Sequence, residues 1–177
     1  ITIAELTTIT AQSVDGSTDY DITLDLPGHD FSTISVTGAN VELVDENAII
    51  LGASTVSGTY DVTATSGNIT NTGNLTITEG ATFVTGATGS NIILDQANAF
   101  SSWVKMKADT GGNEAFGNIE FVDSGAVTIQ TSAATDADGE LLIDGSTDLA
   151  VGGNLIITAT TGDITHGAAV TVTGTSS

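Results

Sequence analysis

The chain has 177 residues, with 22 Asp and Glu against two Lys and no Arg, which gives a formal net charge of −20. So few basic residues exclude a protein that binds nucleic acid through clustered phosphate contacts. The absence of Cys excludes disulfides and thiolate metal sites, and no apolar run is long enough for a membrane-spanning helix. A hydrophobic content of 40% is sufficient for a packed core and argues against disorder.

Short segments in which apolar and polar residues alternate recur along the chain. A period of two predicts strands with one apolar face, and turn-forming Gly-Asn, Ser-Gly, Thr-Gly and Asp-Gly steps separate them. Residues 98–107 are the only stretch that we consider as a helix, and their sequence pattern does not favour one. In chain order the clearest strand segments are 22–26, 41–43, 75–78, 119–121, 127–130 and 170–173.

Two stretches resemble each other at a fixed distance, since residues 62–78 match residues 157–173 at an offset of 95. We interpret the chain as two degenerate repeat copies, about 22–90 and 92–174. An irregular insertion occupies about 108–142, and both Lys residues are assigned to the part that does not repeat. The whole chain, 1–177, is then a single segment of a longer protein.

The strand centres follow one another closely, near positions 62, 69 and 76. Such strands suit a coil that turns a corner every few residues and stacks on the coil before it. We therefore predict an all-β protein, a right-handed parallel β-helix (β-solenoid). The alternative is a tandem Ig-like β-sandwich that acts as a calcium-binding surface module, in which the strands would pair antiparallel.

The repeats resemble those of filamentous-haemagglutinin-like adhesins, which are large bacterial exoproteins of the two-partner secretion type. The resemblance covers about 22–174, and residues 1–20 and 108–142 depart from it. The stretch Ile92–Phe100 is similar to the strand of that family followed by an Asn-x-Phe turn. The other stretches that carry the resemblance are 47–58, 62–70, 73–78 and 153–165.

This resemblance implies an extracellular or cell-surface location and a structural or adhesive role in a surface fibre. The partners it implies are adjoining repeats or neighbouring copies of the same protein, and host or surface glycans. Because the free strand edges at the two ends of a solenoid invite strand addition, assembly of copies into filaments is a hypothesis. No cofactor is required in this interpretation.

An enzyme is not expected, although polysaccharide-cleaving enzymes also use the β-helix. Lyases of this fold normally use an Arg or Lys base with calcium, and the chain has no Arg. Hydrolysis requires two carboxyl groups, one with a raised pKa. The pair Asp25 and Asp95 occupies equivalent repeat positions, which favours a role in turns.

Other side chains that carry chemistry are few. His29 and His166 are the only histidines, which are too few for a zinc site, and we expect both to lie in surface turns. Phe100 and Trp103 form either an exposed sugar-stacking pair or the filling of a wider part of the core, and we favour the core.

Calcium is the metal that the sequence favours most. Asp136 and Asp138, followed by Gly139 and Glu140, place three carboxylates close together in an acidic turn. Hard oxygen ligands at this spacing can hold Ca²⁺ in a loop. The alternative, which we favour, is a solvated acidic turn without metal. Looser acidic clusters comprise Asp15, Asp19 and Asp21, and Asp144 with Asp148.

Overall fold

The computed structural model describes residues 1–108, 116–130, 140–144, 149–166 and 170–172. All regular elements among these residues are β-strands, and none is a helix that could cross a membrane. The strands are β1 (Thr2–Thr10), β2 (Ile22–Leu24), β3 (Asp30–Gly38), β4 (Val41–Asp45), β5 (Ile49–Leu51), β6 (Ser54–Val56), β7 (Tyr60–Ala64), β8 (Ile69–Asn71), β9 (Leu75–Ile77), β10 (Ala81–Thr85), β11 (Ile92–Phe100), β12 (Val104–Ala108), β13 (Ile119–Asp123), β14 (Val127–Gln130), β15 (Glu140–Asp144), β16 (Leu149–Val151), β17 (Leu155–Ala159), β18 (Ile164–His166) and β19 (Val170–Val172).

The strands form two long parallel sheets and one small sheet. The first sheet runs β17-β13-β11-β8-β5-β3-β6-β9, with β1 paired to β3, and the second runs β18-β14-β15-β12-β10-β7-β4-β2. The small sheet pairs β16 with β19. In the first sheet the long strand β3 pairs with both β5 and β6. Each passage of the chain through this sheet is therefore either one long strand or two short strands separated by a bend.

Each turn of the chain around the axis, here called a coil, uses about twenty residues between β4 and β12, 27 residues from Ile92 to Ile119 and 36 residues from Ile119 to Leu155. Val41 pairs with Tyr60, 19 positions later, and Ala81 pairs with Val104, 23 positions later. The described residues therefore form a β-solenoid of about five turns, which confirms the predicted all-β parallel fold. The Ig-like sandwich is wrong, because every named strand pair is parallel and the described antiparallel contact is an isolated bridge between Gln12 and Asp19.

The structural repeat is the coil and not the offset of 95 seen in the sequence. Val62 lies on β7 in the second sheet, whereas Ile157, which that offset equates with it, lies on β17 in the first sheet. Both sheets use the same alternation of apolar and polar residues, so similar sequences fold onto different sides. The considered helix over 98–107 is wrong as well, because this stretch ends β11 and forms most of β12.

Both Lys residues lie in the regular stack. Strand β12 pairs with β10 along its whole length, and Lys105 and Lys107 face Thr82 and Val84 on that neighbour. Their assignment to a non-repeating part is therefore wrong. Irregularity begins beyond β12, where β15 lies between β12 and β14 although it follows β14 in the chain.

Alternate residues of the strands in the regular part of the stack point into one continuous core. Strands β4, β7 and β10 each bury their first, third and fifth side chains, as the period of two predicts. Aromatic rings contact one another through this core: the ring centroids of Tyr60 and Phe83 are 6.1 Å apart, those of Phe83 and Phe100 are 6.2 Å apart, and those of Phe100 and Phe121 are 5.4 Å apart. The core is thus tied together from coil to coil.

Candidate functional site

A set of buried polar side chains follows the bend in the first sheet, and we call it the inner polar column. Where the sheet bends, the regular backbone pairing is interrupted, as in the register shift between Leu94 and Asn98. Backbone N–H groups at such a break need other acceptors, because an unpaired buried N–H is costly. The column supplies them and consists of Ser54, Asn71, Asn98 and Asp123, each at most 4% exposed.

Asn98 lies at the centre of this column and uses all of its hydrogen-bonding capacity. Its Nδ2 donates to the carbonyl oxygens of Leu94 at 3.1 Å and Val122 at 3.2 Å. Its Oδ1 accepts from Asn71 Nδ2 at 2.8 Å and from the Leu75 N–H at 3.0 Å. One side chain therefore joins three successive coils, since Leu75, Asn98 and Val122 lie on β9, β11 and β13.

Ser54 and Asp123 repeat this role, whereas Asn71 only donates, from Nδ2 to Asn98 Oδ1 and to the Gly73 carbonyl, and its buried Oδ1 has no hydrogen-bond partner among the described residues. Ser54 Oγ accepts from the Val36 N–H and donates to the Gly52 carbonyl, both at 3.0 Å. Asp123 Oδ1 accepts from the Phe100 N–H at 3.0 Å and from the Ser124 N–H at 2.7 Å. Burial raises the pKa of the Asp123 carboxyl, and these bonds offset only part of that rise.

Asparagines at the corners form a second set, which we call the outer asparagine ladder: Asn68 and Asn91 are half-buried, and Asn118 and Asn154 are exposed. Each precedes a strand of the first sheet, and each of the first three accepts, through Oδ1, the backbone N–H of the asparagine one coil later. The distances are 2.8 Å from Asn91 to Asn68, 2.6 Å from Asn118 to Asn91, and 2.8 Å from Asn154 to Asn118. The Gly-Asn and Ser-Asn steps therefore fix the corner of each coil to the next.

Asp15 and Asp21, near the N-terminus, accept hydrogen bonds from polar groups at a turn and at a corner. Ser13 and Ser17 hydroxyls and the Ser17 N–H donate to Asp15, and these bonds lower the pKa of Asp15 to about 2. Asp21 accepts from the backbone N–H and Nδ2 of Asn40, both at 3.0 Å. Asp15 and Asp21 therefore act as turn and corner acceptors.

The two histidines differ in their surroundings. His166 is exposed, as expected for a turn, although it belongs to β18. His29 is buried, with its ring centroid 5.5 Å from that of Phe31 and its Nδ1 3.0 Å from the Ile1 nitrogen. The expectation of a surface position is therefore wrong for His29, because Ile1 and Phe31 lie against its ring.

Of the three calcium candidates, only Glu140 lies among the residues that the structure describes. Asp136 and Asp138 lie outside the described residues, and Glu140 begins β15 with a side chain that is not described. The calcium site at these residues stays a prediction. Within the described residues, no group of three or more His, Asp or Glu could hold a metal ion.

The aromatic pair is divided between core and corner. Phe100 is buried in the core, as expected. Trp103 is half-buried, and its ring covers Gly80, where a Cβ atom would come within 2.1 Å of the indole. Gly80 is thus required by the tryptophan one coil later.

Comparison with known proteins gives one family match. Residues 38–107 match a family described as Repeats of unknown function (DUF5649). The matched stretch runs from the end of β3 into β12, which is the most regular part of the stack. Searches of curated proteins and of solved structures returned no match. The chain is therefore a repeat protein with a β-solenoid fold.

Sequence reasoning missed the inner polar column. Asn71 and Asn98 look like ordinary turn residues, and Asp123 looks like the polar end of a strand. The available signal was a polar residue at a position that alternation assigns to the core, as in Asn98-Ala99-Phe100. The outer asparagine ladder had a clearer signal, because Asn precedes an apolar residue at Asn68, Asn91, Asn118 and Asn154.

Proposed function

We propose that the chain is a structural and adhesive segment of an extracellular bacterial surface fibre, and not an enzyme. The observation that carries the proposal is the continuity of the stack: one core and two polar ladders run from coil to coil. Side chains such as Asn98 serve the coil contacts, which is what a rod-shaped support requires.

The net charge of the chain and the resemblance of its repeats to adhesins also support this proposal. A net charge of −20 keeps an extended rod solvated and apart from its neighbours. The resemblance of the repeats to filamentous-haemagglutinin-like adhesins favours a surface location and contact with host or surface glycans. The family match over 38–107 is to repeats, which is consistent with a segment of a larger repetitive protein.

Labelling of intact source cells tests the location. Antibodies raised against the chain should bind whole cells, and the signal should fall after mild protease treatment of the cell surface. Signal that appears only after the cells are permeabilised would contradict an extracellular fibre.

Adhesion is tested separately with beads that carry the monomeric chain. The beads should bind some members of a panel of glycans and host cells, and free chain should compete. Beads that carry an unrelated protein of similar negative charge are the control, because they report purely electrostatic attraction. Equal binding by both beads would contradict an adhesive role.

We also propose that calcium, where it binds, does so at the turn of Asp136, Asp138 and Glu140. Thermal melting with EDTA should then lower Tm, and Ca²⁺ but not Mg²⁺ should restore it, because Ca²⁺ accepts an irregular set of carboxylate oxygens whereas Mg²⁺ requires octahedral geometry and keeps several of its waters. The double variant D136N/D138N should melt like the EDTA-treated protein and respond to neither ion. An unchanged Tm would remove calcium from the proposal.

A further inference from the structure

An open groove lies on the outside of the second sheet, where the chain passes from a corner into β2, β4 and β7. We call it the corner groove, and its volume is about 170 Å³. Six polar side chains line it, and they come from three successive coils: Asp21, Thr23, Asn40, Glu42, Thr59 and Asp61. The coils of Asn40 and Thr59 have described coils on both sides, so the groove belongs to the body of the stack.

The polar side chains form two rows along the axis of the stack. The corner row consists of the residues directly before β2, β4 and β7, which are Asp21, Asn40 and Thr59. The strand row consists of the second residues of these strands, which the register aligns as Thr23, Glu42 and Asp61. Neighbouring coils are about 4.8 Å apart, so polar groups recur along each row at a spacing close to the length of one pyranose unit.

Hydrogen bonds hold the corner row in place. Asp21 Oδ1 accepts from the N–H and the Nδ2 of Asn40, both at 3.0 Å. Asn40 Oδ1 accepts from the Thr59 N–H at 3.1 Å and from Thr59 Oγ1 at 3.2 Å. Glu42 and Asp61, in contrast, are exposed, and no hydrogen bond joins either carboxylate to another described residue. The groove therefore combines a rigid side with two carboxylates that are open to a ligand.

Trp103 lies at one end of these rows. Because β7, β10 and β12 pair in register, the corner row continues from Thr59 to Gly80 and then to Trp103. The indole lies against Gly80, in the space that a Cβ atom there would need, so the ring extends from its own coil back toward Thr59. Trp103 is only half-buried. It thus adds a flat apolar surface at the end of the corner row.

We infer that the corner groove and Trp103 bind a neutral oligosaccharide. Sugar hydroxyls donate hydrogen bonds to Glu42 and Asp61, and the apolar face of one sugar ring packs against the indole. This inference rests on the adhesive role proposed above, and it names the site and the class of glycan. The five corner positions from Asp21 to Trp103 span roughly 19 Å at about 4.8 Å per coil, which is long enough for a short oligosaccharide.

The charge of the groove selects against acidic glycans. Three of its six polar side chains are carboxylates and none is basic, and a surface of one sign repels ligands of the same sign. Sugars with carboxylate or sulfate groups are therefore disfavoured, although Lys105 continues the strand row beyond Thr82. The described part of the chain has no cluster of His, Asp or Glu that suits a metal ion, so we assign the carboxylates as hydrogen-bond acceptors.

A basic peptide is the other ligand that a carboxylate-lined groove attracts. It would be held mainly by charge, and such binding weakens as the Debye length falls from about 10 Å at 0.1 M salt to about 3 Å at 1 M. Hydrogen bonds and ring contacts with an uncharged sugar do not depend on salt in this way. The apolar surface of Trp103 favours the sugar, and the salt dependence separates the two ligands.

The test uses the fluorescence of Trp103, which is the only Trp in the sequence and therefore reports one place on the chain. The 177-residue chain is titrated with the neutral hexasaccharides cellohexaose, chitohexaose and mannohexaose, with acidic oligogalacturonate and with hexalysine, at about 0.1 M and about 1 M NaCl. At least one neutral hexasaccharide should change the emission in a saturable way at both salt concentrations. Oligogalacturonate should leave the emission unchanged.

Removal of the two open carboxylates tests the groove itself. The variant E42A/D61A should bind the neutral hexasaccharide at least about tenfold more weakly, because it lacks two charged acceptors. The control E46A/D95A removes the same charge from exposed residues outside the groove and should bind like wild type. An unchanged Tm establishes that both variants are folded. Should E42A/D61A not fold, Asp61→Asn replaces it, and weaker binding is again expected.

Three results would overturn the inference: emission that no neutral hexasaccharide changes, emission that only hexalysine or oligogalacturonate changes, and E42A/D61A that binds a hexasaccharide as tightly as wild type. The adhesive role has a separate outcome. Beads that carry E42A/D61A and adhere as well as wild-type beads would leave adhesion intact and remove the groove from it. Wild-type beads that do not adhere, although the hexasaccharide binds in solution, would contradict adhesion but not the groove.

Discussion

At the scale of single residues, the molecule uses buried amides and carboxylates where its backbone pairing breaks. Phe100 N–H, Leu75 N–H and Val36 N–H each donate to a side chain of the inner polar column. Inside a core, such groups rigidify the fold when they are satisfied and destabilise it when they are not. The stability of the solenoid should therefore depend on a few polar positions.

The variant Asn98→Ala should be strongly destabilised. It removes an acceptor from the Leu75 N–H and from Asn71 and a donor from two carbonyls, leaving buried groups unpaired at a cost of about 3 kcal/mol. Urea denaturation measures the change in the free energy of unfolding. Asn74→Ala is the control, because Asn74 is exposed, and it should change stability by less than about 0.5 kcal/mol. Similar losses in both variants would contradict the role of Asn98.

The variant Asp123→Asn should become more stable than wild type as the pH rises. Because burial raises the pKa of Asp123 in the folded state above its unfolded value, ionisation disfavours the fold. That loss is absent below the unfolded pKa of about 4 and is complete above the folded pKa. Asparagine keeps an Oδ1 acceptor for Phe100 and Ser124 without a charge.

Urea denaturation from about pH 3 to pH 7 checks this sign. The difference in the free energy of unfolding, variant minus wild type, should increase with pH. A difference that stays constant or decreases would contradict the assignment. Measuring the difference cancels the titration of the other carboxyl groups that both proteins share.

At the scale of elements, corners decide the path of the chain as much as strands do. Gly67 precedes β8 with a φ of 127°, and a Cβ atom there would lie 2.9 Å from the Ala48 nitrogen of the preceding coil. Both the left-handed backbone and the close approach require glycine. The adjacent Asn68 begins the outer asparagine ladder. This corner therefore combines a required glycine with an asparagine that accepts a hydrogen bond from the next coil.

The variant Gly67→Ala should therefore lose more stability than backbone strain alone explains. Strain in the left-handed region costs about 1–2 kcal/mol, and the contact with Ala48 adds to it. Gly28→Ala is the matched control, because Gly28 has a φ of 120° and open space around its Cβ position. Equal losses of Tm in the two variants would show that the coil contact at Gly67 is unimportant.

The strands also show how much of the fold could be predicted from the sequence. Alternation at 41–43, 75–77 and 119–121 predicted strands that the structure contains, and the short spacing predicted coils in place of hairpins. Alternation carries no information on which sheet a strand joins, so Val62 and Ile157 were equated although they lie on different sheets. His29 was misplaced because its burial depends on Ile1 and Phe31 of other segments.

At the scale of the whole molecule, each coil contacts mainly the coils beside it. The strand pairs from β4 to β12 join neighbouring coils through matched registers, and the inner polar column and outer asparagine ladder follow the same direction. Stability in such a stack is a sum of coils and their interfaces. A rod built in this way yields locally, one coil after another, when its ends are pulled.

Single-molecule force spectroscopy tests this claim most directly, with the chain held at its two termini. Coils of 19 to 23 residues, as between Val41 and Tyr60 or Ala81 and Val104, should unravel in successive steps of roughly 7 nm, at about 3.5 Å of extended chain per residue. The longer coils that join β11 to β13 and β13 to β17 should give steps of roughly 9 and 13 nm. Asn98→Ala should lower the force of the steps that involve β9, β11 and β13. Release of the whole chain in a single step would contradict a rod of stacked coils.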